Sequence, residues 1–225
     1  MKKVLLAWSS GKDSAWTLYA LRRQNIEVSA LLTTLNEVAD RVAMHGVRSE
    51  LLQRQADAIG LPVWQIPLPF PCTNEEYEGR MADACRRARA EGFGAIAFGD
   101  LFLQDVRAYR ERQLTGSGLT PVFPLWELPT AILARDMIDA GLRARLSCID
   151  SRQIDASFAG REFDRALLSA LPPSADPCGE NGEFHTFVHD GPMFRQPLVI
   201  ETGEVRSVDG FVYTDLLCPG ACGAL

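Results

Sequence analysis

The chain has 225 residues, of which 47% are hydrophobic and 23% are charged, and its formal net charge is −6. These values predict one large α/β domain, or a nucleotide-binding domain with a smaller partner, and no disordered tail. The negative charge argues against broad nucleic-acid binding, and the first apolar run is too short for a signal peptide. We therefore expect a cytoplasmic protein that has no membrane span.

The first part of the chain alternates between apolar runs and amphipathic segments. Strands are predicted at residues 4–8, 28–32, 63–66 and 95–98, and helices at residues 15–21, 47–59 and 75–91. Asp13 or Ser14 is expected to cap the first helix, and Gly60 to end the second. This order predicts a Rossmann-like parallel sheet with helices on both faces, which binds ligands at the carboxyl ends of its strands.

The pattern changes near residue 121. Helices are predicted at residues 129–140 and 162–171, and a strand at residues 143–149. Asn181-Gly182 is expected to form a hairpin turn, with one or two further strands in residues 205–217. We therefore predict a smaller C-terminal α+β domain over residues 119–225, after a first domain over residues 1–118.

The loop over residues 9–14, with the sequence S-S-G-K-D-S, joins the first strand to the first helix. Hydroxyls, unpaired backbone N–H groups and the helix dipole there attract phosphate, and Lys12 is the only lysine beyond Lys3. The loop is not a Walker A motif, because Leu6 and Asp13 occupy two of its defining positions. Asp13 would cap the helix or hold Mg²⁺, and the alternative is a serine-rich turn without a ligand.

An acidic cluster lies around the Gly-Glu-Asn-Gly turn of residues 179–182. Glu180, Glu183, His185 and Asp190 suit a cation, such as a metal ion, ammonium or a positive substrate group, and the alternative is a solvated hairpin. The cysteines show no C-x-x-C pair and are expected to be reduced thiols. Cys218 and Cys222 form a C-x-x-x-C pattern, which leaves a metal or redox pair open.

Further candidate residues follow the second and the fourth predicted strands. Asp100 lies at the expected ligand edge, where it would contact a nucleotide or metal or else cap the next helix. Arg110 suits a phosphate or a substrate carboxylate, whereas Arg107 and Glu111 have the spacing of an exposed helical ion pair. His45 would stack on a base or transfer protons, or it would be structural.

The loop over residues 9–14 resembles the S-G-G-x-D-S loop of the PP-loop ATP pyrophosphatases, with Ser10 in place of the first glycine. A serine is tolerable there if its φ is not positive. Met44-His45, Gly99-Asp100, Arg110-Glu111, Pro124-Leu125-Trp126 and above all the segment D-P-C-G-E-N-G-E-F-H-T at residues 176–186 narrow the resemblance to the diphthine-ammonia ligase family. It extends over nearly the whole chain.

This resemblance implies an ATP-binding first domain and a substrate-binding second domain. A substrate carboxylate would attack the α-phosphate of ATP, pyrophosphate would leave, and ammonia would displace AMP. The implied cofactors are ATP and Mg²⁺, with Asp13 as metal ligand. The implied catalytic residues are Lys12, Asp13, Asp100, Glu180 and Glu183. The implied nucleotide-binding residues are Ser9, Ser10, Gly11, Lys12, Asp13, Ser14, Thr33, His45 and Gly99. The implied substrate-binding residues are Arg110, Glu111, Glu180, Asn181, Gly182, Glu183, His185 and Thr186.

The partners implied are ATP, ammonia and an acceptor. The acceptor would be diphthine on elongation factor 2 in an archaeal protein, and another small molecule or protein in a bacterial one, and a homodimer stays open. Two other functions compete: a tRNA-modifying PP-loop enzyme that delivers sulfur, and a nucleotide-binding module without catalysis. Formation of AMP and pyrophosphate from ATP and a candidate acid would separate these classes.

Overall fold

The computed structural model describes residues 3–219 of the chain. A parallel sheet has helices on both faces, and an antiparallel sheet built from the C-terminal part of the chain packs beside it, so the predicted fold class is confirmed. Cys222 lies outside the described residues, and Cys218 is buried as a free thiol. Within residues 3–219 no helix combines the length and apolarity that crossing a bilayer requires.

The parallel sheet has the strand order β4-β2-β1-β5-β6. Its strands are β1 (Lys3–Ala7), β2 (Val28–Asn36), β4 (Val63–Leu68), β5 (Phe93–Ala97) and β6 (Thr120–Val122), with the two-residue β3 (Arg41–Val42) antiparallel to the end of β2. The helices around it are α1 (Lys12–Arg23), α2 (Ser49–Ile59), α3 (Asn74–Ala90) and α4 (Gln104–Leu114).

The antiparallel sheet has the order β8-β7-β10-β9. Its strands are β7 (Arg143–Asp150), β8 (Phe184–Asp190), β9 (Glu201–Val208) and β10 (Phe211–Leu217). The helix α5 (Thr130–Asp139) precedes β7 in the chain, and α6 (Arg165–Ala170) lies between β7 and β8. Because β6 belongs to the first sheet, that sheet extends to residue 122. The proposed domain division at residue 118 stays a prediction.

Two hydrophobic cores lie on the two faces of the parallel sheet. Leu6 and Leu5 are both fully buried, and since successive side chains of a strand point to opposite faces, they enter different cores. The core around Leu6 includes residues of α1 and α2 and continues into the antiparallel sheet, whereas the core around Leu5 includes residues of α3. The antiparallel sheet is thereby packed on the α1 side.

The carboxyl ends of β1 and β5 meet where the strand order reverses. The chain moves from β1 outward through β2 to β4 and then returns to pair β5 with the free edge of β1. Crossovers on the two sides of such a point leave in opposite directions and open a crevice at the carboxyl edge of the sheet. The loop over residues 9–14 and the Gly99-Asp100 pair both lie at this crevice.

Two local predictions were wrong, and one condition was not met. The first helix begins at Lys12 with Gly11 as its N-cap, so Asp13 and Ser14 lie inside its first turn and do not cap it. Ser10 has a φ of +69°, so the condition under which a serine is tolerable at this position is not met. Asn181-Gly182 lies in a loop before β8, and the hairpin turn is instead formed by Asp209-Gly210 between β9 and β10. Gly60 does end α2, in the left-handed conformation.

Candidate active site

A cavity of about 560 Å³ opens at the crevice between β1 and β5 and is closed on one side by β8 and the loop before it. Most of the residues singled out from the sequence line this cavity, namely Ser9, Lys12, Asp13, Ser14, Thr33, His45, Gly99, Asp100, Arg110, Glu180, Gly182, His185 and Thr186. Such a volume suits a ligand of nucleotide size, since small-molecule sites measure about 300–1,000 Å³.

Hydrogen bonds from residues outside the cavity lining fix the loop over residues 9–14. The Ser10 carbonyl accepts hydrogen bonds from the Gln55 side-chain amide at 3.1 Å and from the Val188 N–H at 2.9 Å. A Cβ on Gly11 would lie 2.7 Å from the His45 ring, so glycine is required there by close packing. These contacts fix the loop at the start of α1, where backbone N–H groups and the helix dipole favour an anion.

Lys12 is almost fully buried. Its ammonium lies 2.8 Å from an Asp13 carboxylate oxygen, donates to the Cys178 carbonyl and lies over the rings of Phe163 and Phe184. Burial lowers the pKa of Lys12, but the negative charges of Asp13 and Glu180 outweigh it and raise the pKa above its ordinary value. The lysine therefore stays charged and ties the first helix to the loop before β8.

Asp100 and Arg110 form a second pair of opposite charges at 3.7 Å. The Asp100 Oδ2 and Arg110 Nε atoms are buried and have no hydrogen-bond partner. Burial raises the pKa of Asp100, Arg110 opposes this rise, and Asp13 adds to it. A Cβ on Gly99 would lie 2.9 Å from the backbone of Asp13, so glycine lets Asp100 come close to the start of α1.

Two carboxylate oxygens in this cavity suit a divalent cation. Asp13 Oδ1 and Asp100 Oδ2 are both buried without a hydrogen-bond partner, which is costly unless a ligand satisfies them. Among residues 3–219 no group of three or more His, Cys, Asp or Glu residues is placed to hold a metal alone. Magnesium often binds through one or two carboxylates together with substrate phosphates, and the pair fits that pattern.

The loop before β8 brings further carboxylates to the site. Glu183 is buried and accepts from the Asp176 N–H at 2.7 Å and from the Asn181 amide at 3.2 Å, so it fixes the shape of the loop. Glu180 lines the cavity and accepts from the Leu101 N–H at 2.7 Å. Burial, with the charges of Asp13 and Asp100, raises the pKa of Glu180 to about 7.

Two histidines pack together at the wall of the cavity. The rings of His45 and His185 are 4.6 Å apart, and His45 Nδ1 lies 3.1 Å from the Thr186 carbonyl. Burial lowers the pKa of His45 well below its ordinary range and that of His185 to about 4, so both are neutral at neutral pH. The Thr186 hydroxyl accepts from the Lys12 N–H at 3.0 Å, which joins this wall to α1.

Some sequence candidates lie away from the cavity wall. Ser10 and Gly11 lie behind its lining, Glu183 is buried in the adjoining loop, and Asn181 is exposed. Glu111 is exposed and pairs with Arg107 at 2.9 Å, the helical ion pair that their spacing predicted. The structure does not bring Glu111 to the cavity.

Gln55 was missed from the sequence although it holds the site together. Its fully buried amide accepts from the Trp8 indole at 3.0 Å and donates to the Ser10 and Val188 carbonyls. The available signal is a polar residue within the apolar stripe of α2, beside Leu52, Ala56 and Ile59. A polar side chain on a buried helix face needs partners, so its position indicated a hydrogen-bond network.

Comparison with known proteins gives the following matches. Residues 1–121 match the family model described as the diphthamide synthase N-terminal domain, and residues 129–214 match the diphthamide synthase C-terminal domain. Proteins named diphthine--ammonia ligase from Bos taurus and Homo sapiens are each 23% identical to this chain over 90% of its length and 85% of theirs. The one from Schizosaccharomyces pombe is 24% identical, over 90% of this chain and 37% of the relative.

A search of solved structures gives a chain described as a predicted subunit of tRNA methyltransferase from Methanocaldococcus jannaschii. It superposes with a TM-score of 0.44 at 16% sequence identity, over 83% of this chain and 96% of that chain.

Proposed function

Because the chain belongs to the diphthamide synthase family, we propose that it is an ATP-dependent ligase that joins ammonia to a substrate carboxylate and forms AMP. The relatives named diphthine--ammonia ligase support the overall reaction. The proposal rests on one observation, which is that a phosphate-binding type of loop and a pair of carboxylates line the same cavity. The loop over residues 9–14 lies there beside the unpartnered carboxylate oxygens of Asp13 and Asp100.

In the first step, the loop over residues 9–14 would hold the β- and γ-phosphates of ATP. The substrate carboxylate oxygen forms a bond to the α-phosphorus, and the bond from that phosphorus to the oxygen bridging to the β-phosphate breaks, so pyrophosphate leaves. Ser9 lines the cavity and its hydroxyl can donate to the leaving group, whereas the Ser14 hydroxyl donates to the Gly11 carbonyl at 2.9 Å and supports the loop. Lys12 keeps the start of α1 rigid, so the donors stay in place during the step.

Asp13 and Asp100 would hold Mg²⁺ together with phosphate oxygens. The ion would spread the negative charge that develops on the pyrophosphate as it leaves. Arg110 lies next to Asp100 with its Nε unpartnered, and it would orient the incoming carboxylate.

In the second step, ammonia would attack the acyl carbon of the adenylate. The bond from that carbon to the phosphate oxygen breaks, AMP leaves, and the nitrogen loses a proton. Glu180 is the carboxylate of the loop before β8 that reaches the cavity, and a pKa of about 7 suits a group that takes up this proton at neutral pH. Relatives act on diphthine by name, and we propose a carboxylate acceptor of that kind.

Incubation with ATP, Mg²⁺ and candidate acids tests the reaction. We expect AMP and pyrophosphate, and hydroxylamine in place of ammonia should convert the adenylate into a hydroxamate. Use of a carboxylate labelled with ¹⁸O should transfer one labelled oxygen to AMP. Formation of ADP and phosphate would contradict the proposal, and AMP formation that requires tRNA would favour the competing sulfur-delivering enzyme.

A pair of variants gives the control. Asp13→Asn removes a proposed metal ligand, whereas Asp105→Asn makes the same change on the exposed first turn of α4. We expect the first to lose AMP formation by about 100-fold or more, and the second to behave as the unmodified protein. Equal activity of both would exclude the metal role of Asp13.

A further inference from the structure

Arg110 makes two contacts at the wall of the cavity and keeps one donor free. Its guanidinium lies over the Phe98 ring, 5.1 Å from the centroid, and its Nη1 donates to the Tyr77 hydroxyl at 3.4 Å. Asp100 lies 3.7 Å from Nε, which is too far for a hydrogen bond, and Nε is buried with no partner in the described chain. Opposite charges attract, so this gap requires that both side chains are kept in place.

An aromatic cluster, formed by Phe98, Phe123 and Trp126, supports Arg110. Phe98 is buried, and its ring stacks on that of Phe123 with the centroids 5.6 Å apart and the planes at 24°. Phe123 in turn meets Trp126 edge-on at 6.0 Å. The Arg107 guanidinium lies 4.9 Å from the centroid of Phe123 and 4.6 Å from that of Trp126. Stacked rings and a cation over a ring attract one another, so Arg107 stabilises the cluster.

The segment over residues 123–127 also supports Asp100. The Glu127 N–H donates at 2.8 Å to the carbonyl of Leu101, which directly follows Asp100 in the chain. One short segment therefore supports both members of the pair, Asp100 through the backbone and Arg110 through the aromatic cluster. Held in this way, the two charges stay 3.7 Å apart and do not close to a direct hydrogen bond.

We propose that Phe123, Trp126 and Arg107 are positioning residues, which keep the Arg110 guanidinium away from Asp100 and available to the carboxylate of the acceptor. The described lining of the cavity includes none of the three, so they act through Arg110. This inference rests on the proposed function, in which Arg110 orients the incoming carboxylate. A guanidinium that is fixed beforehand loses less freedom on binding, and its planar donors match a carboxylate.

A titration with acetate tests the positioning without ATP or ammonia. The probe is the ¹H–¹⁵N signal of the Arg110 Nε–H group, identified by its absence from Arg110→Lys. Phe123→Leu keeps an apolar side chain but removes the ring, and Arg107→Lys keeps the charge but removes the planar group. We expect the dissociation constant for acetate to rise about tenfold in Phe123→Leu and about threefold in Arg107→Lys, with a lower Nε–H order parameter in both.

Two matched controls lie away from the cavity. Phe211→Leu removes a half-buried ring that lies 5.0 Å from the Arg152 guanidinium, and Arg87→Lys removes a guanidinium that lies 3.7 Å from the centroid of the Trp64 ring. Both controls should bind acetate as the unmodified protein does, and unfolding temperatures should show that every variant folds. Sodium chloride at the same concentration should leave the Nε–H signal unchanged.

Three results would overturn the proposal: an Nε–H signal of the unmodified protein that ignores acetate or responds equally to chloride, unchanged binding in both Phe123→Leu and Arg107→Lys, or equal losses in the two controls. The outcome is separate from that of the AMP assay. If AMP forms and both variants bind acetate normally, the ligase proposal stands and the positioning role is wrong. If acetate binding depends on Phe123 and Arg107 but no AMP forms, the cluster positions Arg110 for a carboxylate and the ligase proposal is wrong.

Discussion

The two pairs of opposite charges that line the cavity differ in how completely they are satisfied. Lys12 and Asp13 lie 2.8 Å apart, with the ammonium also bonded to the Cys178 carbonyl. Asp100 and Arg110 lie 3.7 Å apart, and each keeps a buried polar atom without a hydrogen-bond partner. The first pair is therefore joined by a hydrogen bond that holds the fold of the site and leaves one carboxylate oxygen, Asp13 Oδ1, for the metal ion, whereas both members of the second pair are arranged for a ligand.

If this difference is real, the Lys12–Asp13 pair contributes more to the free energy of unfolding than the Asp100–Arg110 pair. Lys12→Met should destabilise the protein by about 3 kcal/mol, because it leaves the half-buried Asp13 and the Cys178 carbonyl without their partner. The matched change Arg110→Met should cost less, about 1 kcal/mol, because Arg110 lies 3.7 Å from Asp100 and no hydrogen bond joins their closest atoms. Unfolding by urea measures both free energies. Equal losses in the two variants would show that the pairs do not differ in this way.

The second pair should instead affect activity. Asp100→Asn keeps the shape of the side chain but removes the charge that would hold the metal ion, and we expect a loss of AMP formation of about 100-fold or more with little change in stability. Steady-state rates with ATP and an acceptor acid, set beside urea unfolding, measure this. A variant with full activity would leave Asp100 without its proposed role.

Glu180 links the two pairs and makes stability depend on pH. Its folded pKa of about 7 lies above the ordinary value of 4.5, so the folded protein binds the extra proton and its stability falls as pH rises through this range. Glu180→Gln removes the titration and keeps an oxygen that can accept from the Leu101 N–H. The variant should gain up to about 2 kcal/mol over the unmodified protein above neutral pH, after allowance for partial exposure, and little below pH 4.5.

Unfolding curves from acid to neutral pH test this sign. A difference between the two proteins that stayed constant with pH would show that Glu180 does not titrate in this range.

The smallest expected effect is a change in stability at Ser10, in the loop over residues 9–14. Ser10 has a φ of +69° and its buried hydroxyl oxygen has no partner. Ser10→Gly should therefore stabilise the protein by about 1 kcal/mol, since glycine adopts this conformation without strain. Ser9→Gly is the control, because Ser9 does not have positive φ and should gain nothing. A Ser10→Gly variant of lower stability would indicate that the hydroxyl has a partner in solution.

Much of the parallel sheet could be predicted because its strands are buried on both faces and give continuous apolar runs. Three elements gave no such signal. The strands β3 and β6 have two and three residues, too few to show a period. The helix α4 buries only Leu114, so its sequence has no apolar stripe, and only the spacing of Arg107 and Glu111 indicated a helix.

The residues that form the site could largely be predicted from the sequence, whereas the contacts between them could not. A strand, small residues, a lysine and a helix in succession indicated a phosphate loop, and the position of Asp100 followed from the carboxyl edge of the sheet. The contacts of Glu180 with Leu101 and of Lys12 with Cys178 join residues far apart in the chain. Local patterns contain no information on such pairs, so the difference between the two charge pairs appears only in the structure.

A crystal structure with a non-hydrolysable ATP analogue and Mn²⁺ tests the central claim most directly, because the anomalous signal of manganese locates the metal. We expect the triphosphate to contact residues 9–14 and the metal to bind carboxylate oxygens of both Asp13 and Asp100. A triphosphate bound elsewhere, or a metal that contacts neither carboxylate, would contradict this account of the site.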